Sequence, residues 1–135
     1  MTAETAQRTR PRFRILRLEV WQEARTLNRE IYRASGAFPS AERFALTSQI
    51  RRASVSVAAN IAEGCGRNSD RDFAHYLEQA YGSAMELGCL LCLAVDLGYL
   101  SPGELAPLLD RLQRTSARIA ALNRSLGVTK SKVRL

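Results

Sequence analysis

The sequence contains few of the residue types that build catalytic or metal sites. It has one histidine in 135 residues, with no cysteine or second histidine at metal-ligand spacing from it. A surface or boundary position is the favoured interpretation of His75, and an enzyme that uses it with Asp72 or Glu78 is the minor alternative. We therefore predict a protein that is not an enzyme and has no metal site and no cofactor.

Long apolar runs are also absent. The most apolar segment, residues 87–95, ends at Asp96 after nine residues, whereas a membrane-spanning helix needs roughly 20. The arginines near the N-terminus are not followed by the apolar stretch of a secretory signal. We expect a soluble, cytoplasmic protein that does not contact membranes.

The three cysteines cannot all pair within the chain, so we expect reduced thiols. Cys89 and Cys92 have the spacing of a redox pair. Such a pair needs a helix N-terminus to stabilise its thiolate, and these two residues lie inside a predicted helix. The pattern favours small, buried apolar side chains.

Lysine is scarce, and the net positive charge comes from the two ends of the sequence. Residues 1–17 carry +4, residues 128–135 carry +3, and the body between them has twelve arginines and twelve acidic residues. Short basic arms usually contact polyanions, although a solvated tail that only aids solubility has the same composition. Eighteen arginines against two lysines suit bidentate phosphate contacts, but a codon bias would give the same count.

Aromatic residues that could stack bases are few. Trp21, Phe73 and Tyr76 are better interpreted as core or boundary residues of helices. We therefore expect phosphate contacts to dominate any binding of nucleic acid.

Apolar positions at three- and four-residue spacing predict four helices and no strand. The first covers about residues 18–34. The second begins at Ser40, a good N-cap, and ends at Gly64, which suits the left-handed position after a helix. The turn Gly64-Cys65-Gly66 lacks the Gly-Lys-Ser/Thr ending of phosphate loops and is interpreted as a cap.

The third helix begins at the N-cap Ser69 and ends near Gly98, and the fourth begins at the capping box Ser101-Pro102-Gly103-Glu104. Short connections between these helices predict an antiparallel up-down-up-down four-helix bundle in residues 18–127, flanked by a basic disordered arm and a basic tail. The apolar stripes are Trp21, Ala24, Leu27 and Ile31; Leu46, Ile50, Ala53, Val57 and Ile61; Phe73, Leu77, Ala80, Ala84, Leu87, Leu91 and Ala94; and Leu105, Leu108, Leu112, Ile119, Leu122 and Leu126.

Two helices also carry polar residues on one face. They are Arg52, Ser56, Asn60 and Glu63 on the second helix and Gln79, Ser83 and Glu86 on the third. Gly82 lies beside the second group, and a glycine inside a helix costs roughly 1 kcal/mol, so it usually has a packing reason. We predict that these residues form a hydrogen-bonded network, with Arg51 or Arg52 paired with Glu86, or a contact between subunits. The alternative is that the two polar faces are independent and solvated.

Several short sequence segments between residues 18 and 126 together form one pattern. The segments are Leu18-Glu19-Val20-Trp21, Phe38-Pro39, Glu42-Arg43-Phe44-Ala45-Leu46, Gln49-Ile50-Arg51-Arg52-Ala53, Ser56-Val57, Asn60-Ile61-Ala62-Glu63-Gly64, residues 73–77, Gly82-Ser83 with Glu86, and Leu97-Gly98-Tyr99. Together they resemble the four-helix bundle proteins named for intervening sequences of large-subunit ribosomal RNA genes.

The resemblance implies a homo-oligomer, typically a pentameric barrel of bundles, with a basic surface suited to nucleic acid. The family includes the accessory variability determinant of diversity-generating retroelements, which binds the reverse transcriptase and RNA of the element. The motif positions carried over are Arg51, Arg52, Asn60, Glu63, Gly64, Gly82, Ser83 and Glu86. The motif alone does not distinguish RNA binding from shaping of the bundle.

The leading hypothesis is therefore a non-enzymatic, homo-oligomeric scaffold that binds RNA or DNA. The residues assigned to phosphate contacts are Arg8, Arg10, Arg12, Arg14, Arg17, Arg51, Arg52, Lys130, Lys132 and Arg134. One alternative is an accessory protein that binds the reverse transcriptase and RNA of a retroelement. Another is a protein adaptor without a role in nucleic-acid binding.

Overall fold

A computed structural model describes the backbone of residues 11–128 and the side chains of residues 14–128. In this part of the chain there are four α-helices and no strand: α1 (Glu19–Ser35), α2 (Leu46–Cys65), α3 (Asp70–Asp96) and α4 (Pro102–Ser125). Short 3₁₀-helices cover Pro11–Arg17 and Ser40–Glu42. None of the described helices combines the length and the apolarity that are needed to cross a bilayer.

The four helices enclose a single core. Each helix packs against the next in the chain, and α1 also packs against α4, so the arrangement closes as the four-helix bundle that the periodicity predicts. Every residue of the predicted α3 stripe is buried, and Leu27, Ile50, Leu77 and Leu87 are 0% exposed. Full burial of a large aliphatic side chain contributes about 1.5–3 kcal/mol, so these stripes supply much of the stability.

The predicted starts of α3 and α4 are confirmed. Ser69 Oγ accepts a hydrogen bond from the backbone N–H of Asp72 at 3.1 Å. At α4, Ser101 Oγ accepts from the backbone N–H of Glu104 at 3.1 Å, and Glu104 Oε1 accepts from the backbone N–H of Ser101 at 2.9 Å. Gly98, where α3 is predicted to end, follows the helix in a left-handed conformation with φ of +80°.

The predicted start of α2 at Ser40 is wrong. Residues 40–42 form one 3₁₀ turn, and α2 begins only at Leu46. Glu42 accepts a 2.7 Å hydrogen bond from the hydroxyl of Tyr99, whose ring packs against Phe38 at 5.6 Å between centres. Because this connection is tied to the turn before α4, it does not continue into the helix. The hydrogen bond to Glu42 also raises the pKa of Tyr99 above its ordinary value of 10.0.

The predicted role of Gly64 as a left-handed residue beyond α2 is also wrong. Gly64 is buried inside α2, which continues to Cys65 and is followed by Gly66 in a right-handed conformation. A Cβ on Gly64 would lie 2.8 Å from Tyr76 Cβ and 2.9 Å from Phe73 Cδ1. The glycine is therefore required by the close approach of α3 to α2.

The prediction that Cys89 and Cys92 are buried is wrong, since both are exposed, whereas Cys65 is buried. The buried stripe of α3 passes through Leu87, Leu91 and Ala94. At 100° per residue, Cys89 and Cys92 fall on the opposite side of the helix. The segment is apolar around its whole circumference, but the bundle covers only one side of it.

Candidate nucleic-acid interface

A groove with a volume of about 530 Å³ runs between α1 and α2. Its lining residues are Trp21, Arg25, Asn28 and Arg29 from α1 and Val55, Ala58, Ala59 and Ala62 from α2. We call this surface the α1–α2 groove. The α1 side of the groove, its wall, carries basic and polar side chains. The α2 side, its floor, carries small apolar side chains, and the lining includes no carboxylate.

The charges of α1 are segregated onto two sides of the helix. Glu19 and Glu23 bind Arg118 of α4, with N–O distances of 2.9 and 3.0 Å. Glu30 binds Arg33, one turn along α1, at 3.0 Å. No acid of α1 therefore turns toward the groove, and the neutral charge count of the body conceals a local basic surface.

Within the described part of the chain, Arg25 and Arg29 have no carboxylate partner. The guanidinium of Arg25 lies over the ring of Trp21, 4.9 Å from the ring centre, and donates a 3.0 Å hydrogen bond to Gln22 Oε1. Arg29 follows Arg25 by four residues, a spacing that puts two Cβ atoms about 5–6 Å apart on one helix face. The groove thus presents two guanidinium groups in a row.

Asn28 supplies a neutral donor in the same wall. Its Oδ1 accepts a 2.9 Å hydrogen bond from the hydroxyl of Ser54, which is buried between α1 and α2. That bond uses the carbonyl oxygen of the side chain and leaves the N–H groups of Nδ2 available. Val55 is 44% exposed, so the facing floor offers apolar contact.

The adjacent arginines predicted to bind phosphate take different positions. Arg51 turns to α1, where its Nε donates to Ser35 Oγ at 2.9 Å and its guanidinium lies 4.6 Å from the ring centre of Tyr32. Arg52 is exposed and does not line the groove; it precedes Ser56 by one turn, on the face of α2 that meets α3. Neither arginine reaches Glu86, and the predicted ion pair is absent from the described residues.

The predicted polar link between α2 and α3 exists in a smaller form. The hydroxyls of Ser56 and Ser83 are 2.7 Å apart, and Asn60 Nδ2 donates to Ser56 Oγ at 3.0 Å. Glu63 instead binds Arg67 at 2.8 Å. The serine pair joins the two helices, and the charged groups on either side of it are not part of the network.

Part of the exposed side of α3 is apolar. It carries Tyr81, Met85, Cys89, Cys92 and Leu93, which we call the α3 outer face, and exposed fractions there reach 47% at Met85 and 44% at Leu93. Gly82 lies on the same side, and a Cβ added to it would meet nothing within 4 Å. The packing reason predicted for Gly82 is therefore absent from the described part of this subunit.

Part of the basic N-terminal arm packs against the bundle. Instead of the disorder predicted for residues 1–17, residues 11–17 form a 3₁₀-helix that contacts α1 and α2. Arg14 donates from Nε to Cys65 Sγ at 3.3 Å and from a terminal nitrogen to Cys65 O at 3.0 Å. Arg14 thus caps the C-terminal end of α2, while Arg17 is exposed.

The remaining predicted phosphate ligands lie outside the described residues or side chains. They are Arg8, Arg10, Lys130, Lys132 and Arg134, together with the side chain of Arg12. His75 is exposed, as predicted, and its ring packs edge-on against Tyr76 at 5.3 Å. In the described range, no group of three or more histidine, cysteine or acidic residues could hold a metal ion.

Sequence reasoning missed Arg25, Asn28 and Arg29 as candidate site residues. A signal was present, because Arg25 and Arg29 are four residues apart on the side of α1 opposite Glu19, Glu23 and Glu30. The net count over the whole body hid this segregation. The sequence does not show which helix packs against the acidic side of α1. The tertiary structure places α4 there.

Both the sequence and the fold of the chain match known proteins. Residues 17–121 match the sequence model of the family described as 23S rRNA-intervening sequence protein. Among solved structures, a protein of unknown function from the S23 ribosomal protein family of Bacteroides thetaiotaomicron has the same fold, with a TM-score of 0.73 at 20% identity; the match covers 78% of this chain and 98% of that one. No curated protein matches the chain in sequence.

Proposed function

Because the chain belongs to the family of 23S rRNA-intervening sequence proteins, we propose that it is a non-enzymatic, homo-oligomeric protein that binds nucleic acid. The observation that carries the proposal is the α1–α2 groove, where Arg25 and Arg29 lie without carboxylate partners above an apolar floor. Guanidinium groups bind phosphate oxygens through paired, charge-assisted hydrogen bonds. A polyanion with regularly spaced phosphates, RNA or DNA, is the ligand that this surface fits.

The two ends of the sequence add basic charge to each subunit. Arg8 and Arg10 precede the described residues, and Lys130, Lys132 and Arg134 follow them. In an oligomer every subunit contributes one copy of each arm. Weak phosphate contacts on one particle then strengthen each other through effective concentration.

The α3 outer face supports self-association. Its exposed Tyr81, Met85 and Leu93 form an apolar surface on the longest helix, and such surfaces on soluble proteins mark interaction sites. Gly82 has no packing reason within the described subunit although glycine is unfavourable inside a helix. We propose that a second copy packs here, at a backbone distance that a side chain at position 82 would prevent.

Light scattering of the full chain, with and without a short structured RNA, tests the proposal. We expect an oligomer, five copies if the assembly is that of the resemblance, whose mass rises when RNA is added. Met85→Lys should reduce the mass to that of a monomer, because it places a charge in the contact. Phe44→Lys, at a residue 86% exposed in the connection before α2, is the matched control and should leave the oligomer intact.

The possible results separate the two parts of the proposal. A monomer that binds RNA would refute self-association and leave the binding function standing. An oligomer or a monomer that ignores RNA and DNA at low salt would refute nucleic-acid binding. A protein partner such as a reverse transcriptase would then be the ligand to seek.

A further inference from the structure

We propose that the α1–α2 groove binds an unpaired segment of nucleic acid, with one base stacked on the Arg25–Trp21 pair and an adjoining phosphate held by Arg29. The inference rests on the proposed function and makes it specific, since it names the strand form and the place of binding. Its support comes from the shape of the groove, the stacking of its side chains and the position of its charges.

The stacking surface is already assembled. Trp21 packs against the core on one side, and the guanidinium of Arg25 lies 4.9 Å from its ring centre. Bases of unpaired RNA stack on aromatic rings and on the planes of arginine guanidinium groups. A base that enters the groove therefore meets a planar cation whose position is fixed by Trp21 and by the hydrogen bond to Gln22.

The floor of the groove admits a flat ring. Ala58, Ala59 and Ala62 are the α2 residues opposite Trp21 and Arg25, and their methyl groups leave room where larger side chains would close the groove. The groove has a volume of about 530 Å³ and is open to solvent, so a flat ring can enter it.

The polar groups lie on the α1 side of this space. Asn28 keeps its Nδ2 donors available for a base edge, because Ser54 occupies only its Oδ1. Arg29 lines the groove one turn beyond Arg25. Its guanidinium can then hold the phosphate next to a stacked base.

A duplex does not offer the same fit. Its bases are stacked inside the helix and expose only their edges, so their faces cannot reach a stacking surface without being extruded. Phosphate contacts alone would make the groove indifferent to strand form. Preference for unpaired strands is therefore the property that distinguishes a stacking groove from a general basic surface.

Trp21 fluorescence provides a direct test, because it is the only tryptophan in the chain. The full-length protein is titrated with a short single-stranded RNA, with the same RNA annealed to its complement, and with inorganic polyphosphate. We expect a saturable change in Trp21 emission with the single strand, at an affinity at least fivefold higher than for the duplex. Polyphosphate should bind more weakly and leave the emission nearly unchanged.

Substitutions assign the effect to the groove. Arg25→Gln and Arg29→Gln should each weaken single-strand binding by about five- to tenfold, and Arg25→Gln should also abolish the preference over duplex. Arg33→Gln is the matched control, since Arg33 lies on the same helix and is paired with Glu30. All three side chains are on the surface, and far-ultraviolet circular dichroism verifies that the variants fold.

Three results would overturn the inference. RNA binding that is unaffected by Arg25→Gln and Arg29→Gln, with constant Trp21 emission, would place binding on the tails and leave the proposed function intact. Equal affinity and equal emission changes for RNA and polyphosphate would show an anion site without base stacking. Absence of RNA binding at low salt would refute the proposed function together with the groove.

Discussion

Gly64 and Gly82 lie in opposite surroundings, one crowded and the other open. Gly64 lies where α2 and α3 approach each other, and an added Cβ would meet atoms of Tyr76 and Phe73 at 2.8 and 2.9 Å. Gly82 is exposed on α3, with nothing within 4 Å of the same added atom. Packing inside the subunit requires a glycine at position 64. For the glycine at position 82, the reason we propose is the contact with another copy.

Alanine at the two positions should therefore change stability in opposite directions. Gly64→Ala should lower the free energy of unfolding by about 1–3 kcal/mol, because the helices must separate to admit the methyl group. Gly82→Ala should raise the stability of the isolated subunit by about 1 kcal/mol, the difference in helix propensity. Urea unfolding of both variants in the Met85→Lys background, where the subunit should be monomeric, measures these changes.

The same pair tests the subunit contact. If a second copy approaches α3 at Gly82, then Gly82→Ala should weaken the oligomer while it stabilises the subunit. A variant that is more stable and equally oligomeric would contradict a close contact at this position.

Adjacent arginines show how little the identity of a residue says about its role. Arg51 is bound to Ser35 and Tyr32 within the bundle, whereas Arg52, the next residue, is exposed to solvent. A rotation of 100° per residue separates the two side chains. Which of the two faced α1 could not be predicted from the pair alone.

At the scale of elements, α4 is the helix whose start is most completely specified by local sequence. Ser101 and Glu104 cap each other through two backbone N–H groups, and Pro102 occupies the first turn. The hydrogen bond that the carboxylate of Glu104 accepts from the backbone N–H of Ser101 lowers the pKa of this carboxyl below its ordinary value of 4.5. A lowered pKa in the folded state means that the ionised carboxylate stabilises the fold.

The cap should make stability depend on pH in the acidic range. The contribution of Glu104 is fully present above pH 4.5, its ordinary pKa, and is lost as the pH falls through the lowered folded pKa. Glu104→Gln keeps an acceptor oxygen but cannot ionise, so its melting temperature should fall less than that of the parent chain over this interval. Thermal melts from neutral to acidic pH measure the difference, and parallel curves for the two proteins would contradict it.

The helix α3 illustrates a limit of apolar patterns. Its core stripe is regular and was predicted residue by residue, but Met85, Cys89 and Leu93 continue the apolar character onto the opposite side. A helix that is apolar all round is expected to be buried all round. In this fold α3 lies between α2 and α4 and its outer face has no covering helix among the described residues.

At the scale of the whole molecule, charge is separated without a net excess in the body. Arg118 of α4 binds Glu19 and Glu23 and draws the acids of α1 away from the groove. Arg14 is hydrogen-bonded to the end of α2, so the bundle fixes the position of its charge. The groove is therefore basic although the body of the chain carries no net charge.

Removal of the ends should reduce the salt dependence of RNA binding without eliminating binding. A chain of residues 11–128 lacks Arg8, Arg10, Lys130, Lys132 and Arg134 but keeps the groove and the Arg14 contact. Each phosphate neutralised on a single strand contributes about −0.7 to the slope of log K against log salt concentration, so the slope should become shallower by up to about 3.5. Equal slopes for the two chains would show that the ends do not contact RNA.

The sequence by itself determined the four helices, their core stripes, the caps at Ser69 and Ser101 and the family, because these depend on periodicity and on contacts between near neighbours in the chain. The tertiary structure decided which polar and apolar faces are covered: the late start of α2, the burial of Gly64, the exposure of Cys89 and Cys92, and the pairing of Arg118 that leaves the groove basic. These features depend on where one helix meets another, at distances of many residues along the chain. Local spacing does not contain that information, since the same stripe fits several neighbours.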